Sequence, residues 1–310
     1  MSEPPTATGH VVDPGRVPDA PLRPPWATGG LLEVFRRRYL LRLLVDKEIQ
    51  ARYQGSALGL FWSYVQPMVR FAMYFFVIGL VLGLHKDVPN FAIHMFAALV
   101  CTNYFIETFS SGTRSIQRNK PLVRKMAMPR ELFPVSSMIV SAIHVLPQLL
   151  ILIVAAAFEG YRPSVGNLSA FVLGAAILVL WATGLALLFS AANVFFRDFE
   201  NIVQTCTLFA HWCVPLMYPW SKIGASGAAT WIKELYLANP LAQAVLLIQK
   251  AFWFPTCDDP AEKACQPAHA FPSHMYERGL VMLVGGIVFL AIAQLAFSRL
   301  ECKFADRIGS

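Results

Sequence analysis

Residues 168–194 read LSAFVLGAAILVLWATGLALLFSAANV, twenty-seven positions without one Asp, Glu, Lys or Arg. A helix needs about 20 apolar residues to cross a hydrocarbon core of about 30 Å, and this stretch exceeds that. A helix apolar on every side is buried in protein or lies in lipid, and the rest of the chain decides for lipid. Over 310 residues, 56% are hydrophobic, only 15% are charged, and the mean hydropathy is +0.50. Soluble domains carry about 25% charged residues. A chain this poor in charge cannot cover its own surface in water. The expected fold class is an all-α membrane protein with many spans.

Five further stretches meet the same length and hydropathy test, giving six expected transmembrane helices at about 61–84, 91–112, 132–157, 168–194, 201–219 and 278–298. The basic residues sort between the two sides. Eighteen lie in segments 1–60, 113–131, the connection containing Arg197, and the C-terminal tail; six lie on the other side, with Arg70 and Arg278 inside spans. Lys and Arg collect on the cytoplasmic side, so both termini are expected in the cytoplasm of a multi-pass plasma-membrane protein. The net charge of +7 is therefore an orientation signal and not a nucleic-acid footprint.

The segments between spans are distinctive. Residues 1–30 hold seven of the 21 prolines and no apolar run, the composition of a disordered cytoplasmic tail. No apolar stretch lies near Met1, so the first span is expected to insert without a cleaved leader. In 31–55, Leu32, Phe35, Tyr39 and Leu43 recur at three-to-four spacing among cationic residues, as in an amphipathic helix lying in the interface. Residues 220–277 form the longest outer connection, with an apolar stretch at 231–254 interrupted by Asn239-Pro240. Two re-entrant half-helices are expected there, since irregular backbone at membrane depth must be buried or line a cavity. A short tail, 301–310, ends the chain.

Several activities lack their motifs. There is no P-loop sequence, no H-E-x-x-H, no C-x-x-C and no G-x-S-x-G. His94, His144 and His211 are single residues in spans and are expected to be packing residues without a metal. Glu107 is the one acid well inside a span, which argues against an ion-coupled transporter relying on buried carboxylates. Cys257 and Cys265, in the outer loop, are expected to be bridged. Cys101, Cys206, Cys213 and Cys302 lie in spans or cytoplasm and are expected to stay reduced.

Four ordered motifs carry a resemblance. Residues 52–67 run Arg52, Tyr53, then Ser56, Leu58, Gly59, Trp62 and Pro67; Asn119, Lys120, Pro121, Leu122, Val123, Arg124 and Lys125 precede Met128, Pro129, Arg130 and Glu131. Phe196-Arg197-Asp198 follows the fourth span, and Pro215 to Pro219 and Asn239-Pro240-Leu241 flank the outer end of the fifth. Together these resemble the ABC-2 type permeases that export polysaccharides and teichoic acids, over about residues 31–300. Gln54-Gly55 departs from the basic residue many relatives carry, and the Pro-rich tail is not a family feature.

The resemblance implies a transmembrane domain over 56–300 that pairs with a second copy of itself to form a conduit. Two copies of a separate nucleotide-binding ATPase subunit would dock below and bind ATP and Mg²⁺, so this chain has no cofactor and is not itself an enzyme. It implies a cytoplasmic coupling helix at about 113–131, with Asn119, Lys120, Arg124, Lys125, Arg130 and Glu131 as the coupling residues. The implied cargo is a long glycan on a polyprenyl diphosphate, or a teichoic acid. The Pro-rich tail, alanine-rich spans and paired loop cysteines are similar to those of mycobacterial members, implying lipid-linked galactan.

Aromatic faces stack on sugars without fixing them, as a conduit requires. Phe71, Tyr74, Phe75, Phe209 and Trp212 are the lining candidates, whereas Trp62, Tyr64, Tyr218 and Trp220 read as interfacial belt residues. Arg70, nine residues into the first span, either pairs with Glu107 or faces the cargo. The alternative function is an integral membrane glycosyl- or acyltransferase, for which the sequence offers only Asp198 and Glu200 near the cytoplasmic side.

Overall fold

The structure is a computed structural model that describes residues 30–56, 58–83, 86, 88–126, 128–257, 266–304 and 307. The expected tail at 1–29 and Cys265, one half of the expected bridge, lie outside them. Among the described residues every element is helical. The described part opens with α1 (Gly30–Arg36) and α2 (Arg38–Tyr53), then α3 (Trp62–Tyr74), which widens into a π-helical turn over Phe75–Val81. There follow α4 (Phe91–Arg118), α5 (Lys120–Lys125), α6 (Leu132–Phe158), α7 (Val165–Phe195) and α8 (Asp198–Ala210). The long connection folds as α9 (Trp220–Gly224), α10 (Thr230–Leu237), α11 (Pro240–Phe252) and α12 (Pro267–Ala270), and α13 (Met275–Glu301) closes the chain.

Among the described residues, five helices are long and apolar enough to cross a membrane: Trp62–Val81, α4, α6, α7 and α13. α4 is the most buried and α3 the least, at 78% and 6% of their apolar windows. The bundle is thus built around α4 and leaves α3 on its surface. Side-chain contacts fix the directions. Phe109 meets Phe189 and Asn193 Nδ2 donates to the Thr113 carbonyl, so α4 and α7 run parallel. Trp181 Nε1 donates to the Met282 carbonyl and stacks on Phe289, aligning α13 with them. Asn103 meets Gln148 and Glu107 meets His144, so α6 runs the opposite way, as does α3, where Phe71 meets Phe96 and Phe75 meets Phe91.

Small residues allow these approaches. A Cβ added at Gly112 would lie 2.5 Å from that of Ala186, and one at Gly174 only 3.1 Å from the Ala244 carbonyl oxygen. Helices in lipid gain little from hydrophobic burial, so close backbone packing of this kind holds them together.

Two expectations change in detail. The span expected at 201–219 is observed as α8, 13 residues or about 20 Å, followed by turns through 211–219. Pro215 and Pro219 account for this: each lacks an N–H, and each disfavours helical backbone in the residue before it. The helix expected over 113–131 is also divided. Its first residues continue α4 to Arg118, Asn119 ends that helix, and Pro121 opens α5.

The break expected at Asn239-Pro240 falls between α10 and α11, where the Asn239 side chain caps α11 by accepting from the Leu241 N–H at 3.0 Å. α11 is buried on nearly all faces between α4, α7 and α13. Its buried amides donate internally: Gln243 to the Leu237 carbonyl, and Gln249 to those of His94 and Pro215. At its outer end Trp253 donates to the Pro89 carbonyl at 2.7 Å.

At the opposite end, α1, α2, α5, the start of α6 and the end of α13 share one cluster, with Val34, Leu44, Val123, Leu132, Phe297 and Phe304 at its centre. Both described ends of the chain therefore lie at the same end of the bundle as the 119–131 segment. There α2 turns Leu41, Leu44 and Val45 inward, while α1 leaves Leu32 and Phe35, and α2 leaves Tyr39 and Leu43, exposed beside Arg36, Arg38 and Arg42.

Candidate functional site

The C-terminal turn of α2 reaches into the bundle where α3, α4 and α6 diverge, enclosing a polar pocket of about 480 Å³. Arg52 donates to the Glu107 carboxylate and meets His144 Nδ1. His144 Nδ1 lies 2.9 Å from the same carboxylate, and its Nε2 lies 3.0 Å from the Tyr53 hydroxyl, which also meets Ser63. His144 is buried and Glu107 mostly so. A second chain of contacts runs one turn further along α4: Arg70 Nη1 donates to Asn103 Oδ1 at 3.0 Å, and Asn103 Nδ2 donates to buried Gln148 Oε1 at 3.1 Å. Trp62, Gln66 and Arg70, spaced by four on α3, are exposed along the mouth.

Of the two roles open to Arg70, the pair with Glu107 is not formed. Glu107 belongs to Arg52 and His144, and Arg70 meets the neutral Asn103 instead. Asn103 and Glu107 are one helical turn apart on α4, and α2 delivers Arg52 to the nearer of the two levels. His144 is likewise more than a packing residue. His94 and His211 lie among aromatic rings, His94 against Phe91 and Trp253 and His211 against Tyr74. Each participant was visible in the sequence, Arg52 and Tyr53 in a motif and Glu107 as an intramembrane acid. Their meeting was not, because 55 residues separate Arg52 from Glu107.

The lining candidates divide into two groups. Phe71 and Phe75 turn toward α4, packing on Phe96 and Phe91, and Tyr74 meets His211 edge-on. Phe209, near the end of α8, and Trp212, in the turn after it, are exposed, 61% and 62%, and α8 also exposes Asn201, Gln204 and Thr205. The outward side of α3 is instead Val69, Met73, Phe76, Val77 and Leu80.

The coupling candidates divide too. Arg124 and Lys125 are exposed at the end of α5, with Lys120 half-buried at its start. Asn119 accepts a hydrogen bond from Lys47 of α2 at 2.9 Å. Arg130 and Glu131 face inward: Arg130 donates to the Glu301 backbone carbonyl and lies over the Phe304 ring, while Glu131 accepts from Gln294 at 2.9 Å. These two fasten the start of α6 to the end of α13.

Of the cysteines, Cys101 is buried in α4, and Cys206, Cys213 and Cys302 are exposed thiols.

Comparison with known proteins fits this architecture. Two O-antigen export system permease proteins RfbA from Klebsiella pneumoniae are 25% and 24% identical to the chain over 267 residues, covering 86% of it and 94% of each relative. A protein of the same description from Myxococcus xanthus is 26% identical over 221 residues, 71% of this chain and 83% of its own length. The sequence profile of the ABC-2 type transporter matches residues 39–253, from α2 through the end of the buried α11. The chain belongs to the ABC-2 type transporter membrane family.

Proposed function

We propose that this chain is the transmembrane permease subunit of an ATP-driven exporter moving a polyprenyl-diphosphate-linked polysaccharide across the plasma membrane. The observation that carries this reading is the match to O-antigen export permeases along 86% of the chain, with the 119–131 motif at the end of the bundle where both described ends of the chain lie. Two copies pair along the open faces of α3 and α8, where Phe209, Trp212 and Arg70 stand exposed and Phe71, Tyr74 and Phe75 back them. α8 and the buried turns after it complete a sixth crossing, α10 and α11 form the outer re-entrant pair, and both termini face the cytoplasm. The cytoplasmic end receives two ATPase subunits, which bind ATP and Mg²⁺, through Lys120, Arg124 and Lys125. Lipid-linked galactan is the first cargo to test.

Depletion of the chain in its own cell, with the lipid-linked glycan pulse-labelled, tests this. We expect labelled glycan of full length to accumulate in the inner leaflet while synthesis continues. Arrest of glycan synthesis itself would replace the exporter with a membrane-embedded transferase.

A further inference from the structure

The two guanidinium groups of the polar pocket are in different electrical states. Arg52 faces the Glu107 carboxylate, so its charge is neutralised within the protomer. Arg70 is hydrogen-bonded to the neutral oxygen of Asn103, and Asn103 is held in turn by Gln148, itself 3% exposed. A cation inside a membrane-spanning helix requires a counter-ion or water. Among the described residues, the pocket groups nearest it are amides and a hydroxyl, Gln66 and Ser63 on α3, Asn103 on α4 and Gln148 on α6, while the carboxylate lining the same pocket, Glu107, is taken by Arg52 and His144. Neutral hydrogen-bonding groups around one unneutralised guanidinium describe the binding half of an anion site. Arg presents donors in a fork that matches the oxygens of a phosphate. The cavity's 480 Å³ falls within the range of small-ligand pockets, about 300–1,000 Å³.

We propose, on the exporter reading above, that Arg70 and its Asn103–Gln148 support form a membrane-facing site for a phosphate-ester anion, entered past Trp62 and Gln66. Asn103 and Gln148 are positioning residues that aim the guanidinium at the mouth. The Arg52–Glu107–His144 group closes the other side of the pocket and adds no net charge when His144 is neutral. Phosphate esters reach this place from two sources, the diphosphate of a polyprenyl carrier or the headgroup of a bulk anionic lipid.

Purified full-length protein in nanodiscs of neutral lipid separates these sources. Farnesyl diphosphate, inorganic diphosphate and phosphatidylglycerol are each titrated against wild type, Arg70→Gln, Arg70→Lys and Gln148→Leu, with native mass spectrometry reporting bound ligand and subunit number together. We expect wild type to bind farnesyl diphosphate more tightly than inorganic diphosphate. Arg70→Gln should weaken that binding about tenfold or more, the loss of at least one charge-assisted hydrogen bond, with Lys partly restoring it. Phosphatidylglycerol competing equally would assign the same site to a bulk lipid headgroup. Unchanged binding in both Arg70→Gln and Gln148→Leu would overturn the site. So would a change of subunit number in Arg70→Gln with ligand affinity intact, since Arg70 would then serve the contact between copies. None of these results bears on whether the depleted cell exports its glycan, so the two readings fail separately.

Discussion

Glu48 lies on the inner face of α2 and accepts from the Ser137 hydroxyl at 2.9 Å, with Ser136 nearby at 3.4 Å. Burial pushes its carboxyl above the ordinary value of 4.5, although both serines, Arg118 and Arg52 pull the other way. A carboxyl raised on folding favours the docked helix when protonated. That contribution is complete below the ordinary glutamate range and is lost as pH rises through the raised value. Glu48→Gln keeps an acceptor for Ser137 and removes the buried charge. We expect it to raise the melting temperature of the detergent-solubilised protein at neutral pH and to flatten its dependence between acid and neutral pH; an unchanged profile would show that α2 is not held through this residue. Neither the Glu48–Ser137 contact nor that of Arg52 with Glu107 was legible in the sequence. Both join positions more than fifty residues apart, and only helix packing sets their register.

Among the glycine contacts of the described residues, the tightest is between α4 and α7, at Gly112 and Ala186. Because the helix backbones themselves nearly touch, Gly112→Val has no flexible side chain to displace. It should destabilise the bundle by about 1–3 kcal/mol, the range for overpacking. Gly112→Ala should cost less, and pairing it with Ala186→Gly should recover much of that loss, because the two positions share one space. The fraction of monodisperse protein surviving a heating series measures all three; additive losses in the double variant would place the damage elsewhere. At this scale the sequence was most legible. Uninterrupted apolar runs specified α4, α6, α7 and α13 to within a few residues, and Asn239-Pro240 marked the α10–α11 break. It misled where proline acts inside an apolar run. Hydropathy reads Val214 and Leu216 as part of one continuous helix, whereas α8 stops at Ala210 and the chain turns around Pro215.

For the whole molecule, the connected set at the lower end of the bundle matters most. α5 rests on the shared cluster through Leu122 and Val123, Lys47 ties Asn119 to α2, and Arg130 ties the approach to α6 onto the end of α13. A push on α5 would thus reach α2, whose other end carries Arg52 into the polar pocket, and α13, whose whole length packs on α7. The basic character of the 119–131 segment was plain in the sequence, but its split into outward and inward residues was not. Alternation along a short helix and a turn depends on what Pro121 and Pro129 do to the backbone. That split yields opposite expectations for neighbouring charges. Reversing Arg124 and Lys125 to Glu changes exposed side chains only, so the chain should insert and fold normally. On the exporter reading it should then fail to couple ATP hydrolysis to glycan export. Arg130→Gln removes the partner of a mostly buried carboxylate at Glu301, and should lower folded yield before any effect on coupling can be read. Yield from membranes, followed by ATPase and export assays in reconstituted vesicles, separates the two. Normal export by the Arg124→Glu, Lys125→Glu double variant would move the docking surface off α5 altogether.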